Sequence, residues 1–323
     1  MFLIAIGLSM VIKSWTVSVV VFMPISYGIA QCLQIDVALM ASTMLSGIIC
    51  GYQLSMFSGV MNQYEKIKEI LWLIVPAVGG TCIVLCMYRY QLFDHSFYQA
   101  LRSSLFVQDY ITIVPLLFFI VAATLHADLI MNIFVCSCSS LAIGIFQNKI
   151  SYADAVISLF EGYYSQPEMI KLMILCILLS GLTNIVNYNH GFHYLVDLVK
   201  QKNKNGYVRQ FFMIFILIII STTIGLDTVS INVLMPMMKK ISDRYAVSYQ
   251  RALALLYVIS TTVCCFLPYA SCMLLASYLG RASIMSMIQY MLYPAFIIAW
   301  SFISVCIGSY QKTSKKYFYR SIN

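Results

Sequence analysis

Apolar runs of membrane-spanning length alternate with short polar stretches along almost the whole chain. One helical crossing of a bilayer requires about 17–25 predominantly apolar residues. The pattern predicts the following segments, in chain order: Met1–Val11, Thr16–Gln34, Val37–Ser58, Ile70–Met87, Tyr110–Leu125, Leu129–Phe146, Met169–Asn187, Phe211–Met238, Ala252–Tyr278 and Ile288–Ile307. A charged link, Glu65–Glu69, separates the third segment from the fourth. We therefore predict an all-α polytopic membrane protein with about ten transmembrane segments.

Three of these segments are interrupted by small or polar residues. Val37–Ser58 is rich in Ser, Thr and Gly, which favours close helix packing or a broken helix. Phe211–Met238 has the polar centre Ser221–Thr228, which is typical of a re-entrant hairpin, and Ala252–Tyr278 contains Pro268. Irregular backbone at membrane depth is tolerated only where it is buried in protein or lines a cavity. A functional site is therefore expected at these interruptions.

A nine-residue stretch occurs twice, at Thr16–Pro24 and Thr228–Pro236. The identical positions are Thr16/Thr228, Val17/Val229, Ser18/Ser230, Val21/Val233, Met23/Met235 and Pro24/Pro236. An apolar run precedes each copy. We interpret the pair as the centre of an internal duplication. Related halves that each carry an interrupted segment indicate a transport site at the repeat interface.

The distribution of charge predicts the orientation. If the loop at 188–210 is cytoplasmic, 15 of the 20 Lys and Arg residues lie inside, as the positive-inside rule requires. The C-terminus is then cytoplasmic, and the two repeats enter the membrane from opposite faces. The predicted organisation is a first inverted half at 1–90, connecting helices and a basic cytoplasmic loop at 91–210, a second half at 211–310, and a basic tail at 311–323.

Composition excludes an ordinary globular protein. Hydrophobic residues make up 61% of the chain and charged residues 10%, with a mean hydropathy of +0.85, whereas globular domains carry about 25% charged residues. Most of the Lys and Arg residues behind the net charge of +8 lie in the loops predicted to be cytoplasmic. We therefore expect the bilayer, and no nucleic acid, as partner. The eleven cysteines fall in or beside apolar runs and are interpreted as small buried hydrophobes, with neither disulfides nor a metal site.

Asp227 is the leading candidate for a transport residue. It is the only acidic residue inside a predicted membrane segment, and an intramembrane carboxylate is costly and usually functional. Thr228, Ser230 and Asn232 follow it with oxygen ligands, so Asp227 is a candidate sodium ligand beside a proton path. Asp227 is also a good helix N-cap, and the two roles are compatible.

Further candidates for the ion path are hydroxyl residues of the interrupted segments and of the first repeat. They are Thr16, Ser18, Ser55, Ser58, Ser260, Thr261 and Thr262. Intrahelical hydrogen bonds are the commoner role for Thr16 and Ser18. Sodium and protons are the expected transported species, and no resident cofactor is expected.

The order of several short motifs resembles that of the NhaC-type sodium/proton antiporters of the ion-transporter superfamily. The resemblance rests on Trp15–Val17, Gly47, Gly51–Gly59, Asp154–Gly162 with Tyr163, and Arg251–Cys272 with its Leu267-Pro268-Tyr269-Ala270-Ser271-Cys272 sequence. It implies a fold of inverted repeats and sodium/proton antiport by alternating access. Members of the family have additional N-terminal helices, so the first half is expected to be shortened here.

The chain departs from the family where acidic residues are typical. It has Tyr52 and Gly59 in one such stretch, and Tyr257 and Val258 in another. Sodium/proton antiport remains the first expectation. The alternatives are an organic-anion or amino-acid exchanger of the same fold and a transport-inactive membrane subunit. No enzyme motif is found, so no enzymatic activity is expected. The expected location is the bacterial inner membrane, with a homodimer as candidate assembly.

Overall fold

The computed structural model describes residues 1–60, 64–92, 114–124, 129–147, 151–154, 206–224 and 249–306, with scattered positions between 157 and 189. Every regular element in these ranges is an α-helix. The helices are α1 Phe2–Ile12, α2 Trp15–Leu33, α3 Val37–Val60, α4 Tyr64–Leu92, α5 Val114–Thr124, α6 Leu129–Phe146, α7 Gly206–Ile224, α8 Tyr249–Cys264, α9 Ser271–Gly280, α10 Ile284–Gln289 and α11 Leu292–Cys306.

Three described helices are long and apolar enough to cross a membrane. They comprise Trp15–Leu33, Val37–Ser55 and Ile70–Met87, and shorter apolar helices accompany them. All three coincide with segments predicted from the hydrophobic pattern. The all-helical class is therefore confirmed, and the chain is an α-helical membrane protein.

The predicted interruption between 252 and 278 is present, whereas the plain span predicted at 288–307 is not. α8 ends at Cys264 and α9 begins at Ser271. The segment predicted as a plain span at 288–307 is broken at 290–291, shortly before Pro294, which has no N–H to donate to the Tyr290 carbonyl. That carbonyl instead accepts from the Leu292 N–H at 2.9 Å. The charged link at 65–69 belongs to the first turns of α4, which begins at Tyr64, because Lys and Glu are good helix formers.

The small residues of α3 allow α1 to approach it closely. A Cβ on Gly47 would lie 2.6 Å from the Phe2 carbonyl oxygen and 2.7 Å from Ala5 Cβ, and one on Gly51 would meet the Ile6 carbonyl oxygen. Contacts further along α1 are made by residues further along α3, so α1 and α3 are parallel. Close packing through small residues spaced four apart is common between membrane helices, and the packing role predicted for Val37–Ser58 is confirmed.

The contacts of α4, α8 and α11 fix their relative directions. α4 and α11 are antiparallel, because Trp300 Nε1 donates to the Trp72 carbonyl at 3.0 Å while the ring of Phe296 lies against Gly80. Near the end of α11, the Ser304 carbonyl accepts from Arg251 at the start of α8, at 3.4 Å. The start of α4 follows the end of α3 after three residues. The end of α3 and the start of α8 therefore lie at the same face, and α3 and α8 run in opposite directions.

The predicted burial of the cysteines is only partly correct. Cys50, Cys264, Cys265 and Cys272 are buried, and all the described cysteines are free thiols. Cys32, Cys86 and Cys138 are exposed. These three lie on the outward sides of apolar helices, where hydrophobicity in the sequence reflects contact with lipid as well as with protein.

Candidate functional site

A buried amide joins three helices where α3 crosses α8. Gln53 of α3 is 2% exposed. Its Nε2 has two hydrogens and donates to Thr261 Oγ1 at 2.6 Å and to Thr262 Oγ1 at 3.0 Å, while the Val258 carbonyl, 3.3 Å away, shares one of these hydrogens. Its Oε1 accepts from the Tyr293 hydroxyl of α11 at 2.5 Å. We call these five residues the Gln53 hub. Because buried polar groups are costly unless they are paired, the hub holds α3, α8 and α11 in one register.

The two threonines of the hub direct their hydrogens to their own helix. Thr261 Oγ1 donates to the Tyr257 carbonyl at 2.8 Å, and Thr262 Oγ1 donates to the Val258 carbonyl at 2.5 Å. This is the usual bond from a helical Thr to the carbonyl one turn back. Since each hydroxyl has a single hydrogen, both oxygens present lone pairs to the Gln53 amide.

The backbone becomes irregular at Cys265, directly after the end of α8 and next to the Gln53 hub. The last turn tightens, with Cys265 N–H bonding the Thr262 carbonyl at 3.1 Å and Phe266 N–H bonding the Val263 carbonyl at 3.0 Å. Pro268 follows and cannot continue the helix. The Tyr269 hydroxyl then donates to the Thr222 carbonyl near the end of α7. The break between α8 and α9 thus contacts the last turn of α7.

Two buried serines, 212 positions apart, make corresponding contacts in two helix pairs. In the register that pairs Thr16 with Thr228, Ser9 pairs with Ser221 and Ile48 with Ser260. Ser9 Oγ donates to the Ile48 carbonyl at 2.8 Å, and the hydroxyls of Ser221 and Ser260 are 3.1 Å apart. The same register aligns α1 with part of α7 and α3 with α8. The contact between α1 and α3 therefore has a counterpart between α7 and α8 at corresponding sequence positions.

The structure brings some predicted site residues together and separates others. Ser260, Thr261 and Thr262 are buried on α8. Ser18 and Ser55 are buried too, but they donate to the Ser14 and Tyr52 carbonyls of their own helices. Thr16 is exposed. Ser58 belongs to α3. Of the candidates in the second repeat copy, Asp227, Thr228, Ser230 and Asn232 lie outside the described residues.

Gln53 and Tyr293 were not predicted as site residues. The available signal was an amide inside an apolar segment, because intramembrane polar groups usually have a specific partner. Tyr293 gives no such signal on its own, because Tyr is common in membrane helices, particularly near their ends. In the described parts of the chain, no three His, Cys, Asp or Glu side chains form a group that would hold a metal ion.

The hydrophobic helices and their buried polar crossing define an α-helical integral membrane protein. Comparison with known proteins adds no narrower class: no family model matches the chain, and no significant match is found among curated proteins or solved structures.

Proposed function

We propose that the protein is a secondary active transporter that exchanges sodium for protons by alternating access. The observation that carries the proposal is the recurrence of one packing contact in two helix pairs. Ser9–Ile48 and Ser221–Ser260 are equivalent in register, while α3 and α8, which contribute the second residue of each contact, run in opposite directions. Halves related by inversion have two nearly equivalent arrangements, one open to each side of the membrane.

The site of transport is proposed at the crossing of these halves. The Gln53 hub lies where α3 meets α8, and the helix break that follows it contacts Thr222 on α7. Asp227 comes five residues after Thr222 in the sequence and supplies the carboxylate that proton coupling requires. Discontinuous helices at a repeat interface are the usual setting of such sites. The motif order shared with the NhaC-type antiporters supports sodium as the ion.

The proposed orientation places the C-terminus in the cytoplasm of a bacterial cell. Arg251 and Ser304 meet at one face of the bundle, which supports a common side for the start of α8 and the end of α11. The sequence that follows α11 is rich in Lys and Arg, and such loops and tails remain on the cytoplasmic side.

Asp227→Asn tests the proposal directly. The protein reconstituted in vesicles with an internal pH dye should show a sodium-driven pH change, and Asp227→Asn should abolish it because an amide cannot carry the proton. Asp154→Asn, at an exposed position, is the matched control and should retain the flux. Sodium-driven flux that is unchanged in Asp227→Asn would remove Asp227 from the mechanism.

An exchanger of organic anions or amino acids is the second candidate. It is favoured by the chemistry of the Gln53 hub, whose described members are all uncharged. Neutral hydroxyl and amide groups orient small polar solutes without a fixed counter-charge. The same vesicles, given small organic acids in place of sodium, would show a pH change under this alternative. A transport-inactive subunit would give no signal with any solute.

A further inference from the structure

The amide nitrogen of Gln53 occupies a position surrounded by oxygen atoms. Thr261 Oγ1, Thr262 Oγ1 and the Val258 carbonyl lie 2.6, 3.0 and 3.3 Å from it. We call these three atoms the oxygen cradle. They come from adjacent turns of one helix, α8, so their arrangement depends on the helix and not on Gln53. The cradle is therefore expected to persist when the amide leaves it.

The two hydroxyl oxygens of the cradle present lone pairs and no hydrogens. The Thr261 hydrogen is directed to the Tyr257 carbonyl and the Thr262 hydrogen to the Val258 carbonyl, which therefore already accepts one hydrogen bond. Only a donor or a cation can satisfy the lone pairs of the two hydroxyl oxygens. Hydroxyl, carbonyl and amide oxygens are ligands of hard cations, and neutral ligands compensate the desolvation of a single charge better than that of a double charge.

We propose that the oxygen cradle is a binding site for a monovalent cation, for which the tethered amide of Gln53 competes. In the arrangement described here the amide N–H groups take the place of the ion. When Gln53 withdraws, the two threonine hydroxyl oxygens can coordinate sodium, with the Val258 carbonyl beside them. The role of this competition in a transport cycle rests on the proposed function, whereas cation binding itself is measurable without transport.

Because the oxygen cradle and Gln53 lie on different helices, competition between the cation and the amide affects how α3 and α8 pack. Gln53 belongs to α3 and the cradle to α8, the two oppositely directed helices that correspond in the repeat. A cation that displaces the amide removes the hydrogen bonds that join these helices. Ion binding would then favour the arrangement in which α3 and α8 have separated at this point, and a ligand shifts an equilibrium by its differential affinity for the two states.

Gln53→Glu is the most informative variant. It keeps the shape of the side chain but replaces the N–H donors with a carboxylate oxygen that faces other lone pairs. This variant should bind sodium at least about tenfold more tightly than the unaltered protein, seen as a saturable rise of the unfolding temperature with sodium chloride relative to choline chloride. Gln53→Ala removes the competitor and should also respond to sodium more strongly than the unaltered protein.

Threonine variants identify the ligands. In the Gln53→Glu background, Thr262→Val should abolish the sodium response and Thr262→Ser, which keeps the oxygen, should retain it. A Gln53→Glu protein that is recoverable only in sodium would support the proposal. Equal responses to sodium and choline in both Gln53 variants would overturn it, as would an undiminished response after Thr262→Val. Sodium binding without flux in the unaltered protein would retain the cradle and reject the transporter, and the converse result would reject only the cradle.

Discussion

Ser9 and Ser221 each bind, through their side chains, the residue 39 positions further along the chain. Both are fully buried. Both face the second helix of a parallel pair, since Phe211 at the start of α7 stacks on Phe302 near the end of α11, where Arg251 at the start of α8 also bonds. In the first pair the acceptor is the Ile48 backbone, and in the second the partner is the Ser260 side chain. The two contacts thus have the same sequence spacing, although their acceptors differ.

Ser9→Ala and Ser221→Ala should each lower the thermal stability of the purified protein by a small and similar amount. Each removes a buried hydrogen bond, for which a cost of about 0.5–1.5 kcal/mol is typical. Ser137→Ala is the control, since Ser137 is exposed and bonds only the Ile133 carbonyl of its own helix among the contacts described. Stability that stays at the control value in both variants would contradict a structural role for the paired contact.

Glycine substitutions on α3 and α4 should have effects of opposite sign. Gly51→Ala places a methyl group against the Ile6 backbone and should destabilise the protein by about 1–3 kcal/mol as α1 is displaced. Gly79→Ala meets nothing within 4 Å on α4 and should stabilise it slightly, since Ala is the better helix former. Denaturation of both variants in the same detergent tests the prediction. Equal effects would mean that α1 does not pack on α3 as described.

The interruptions that follow from local chemistry were predictable from the sequence. Pro268 lacks a backbone N–H, which favours a break near it, although Pro24 and Pro76 lie inside the continuous helices α2 and α4. Pro294 has the same property, yet hydropathy alone joined 288–307 into one span, because a hydropathy average registers apolarity and not missing donors. The high proportion of small residues in α3 similarly indicated close packing, but it did not identify α1 as the partner.

The Gln53 hub was not predictable because it depends on distant parts of the chain. Tyr293 is 240 positions from Gln53, and Thr261 is 208 positions from it. Thr261 and Thr262 were identified from their place in an interrupted segment, which is a local signal. Their partner, Gln53, was not identified. The residue of α3 that faces α8 depends on how the two helices cross and rotate, and hydrophobic periodicity is weak in a helix that is apolar on nearly every side.

Tyr293→Phe should destabilise the protein, because it removes the only described donor to Gln53 Oε1 and leaves a buried carbonyl unpaired. A cost of about 1–3 kcal/mol is typical of such a group. Tyr249→Phe is the control, since Tyr249 is 42% exposed and lies at the start of α8. If the loss acts through Gln53, it should nearly vanish in a Gln53→Leu background, where no carbonyl is left to satisfy. A double-mutant cycle of unfolding free energies measures this coupling. A Tyr293→Phe cost that is the same in both backgrounds would assign the stabilisation to another contact of the hydroxyl, such as that with the Cys50 side chain, because Phe keeps the ring.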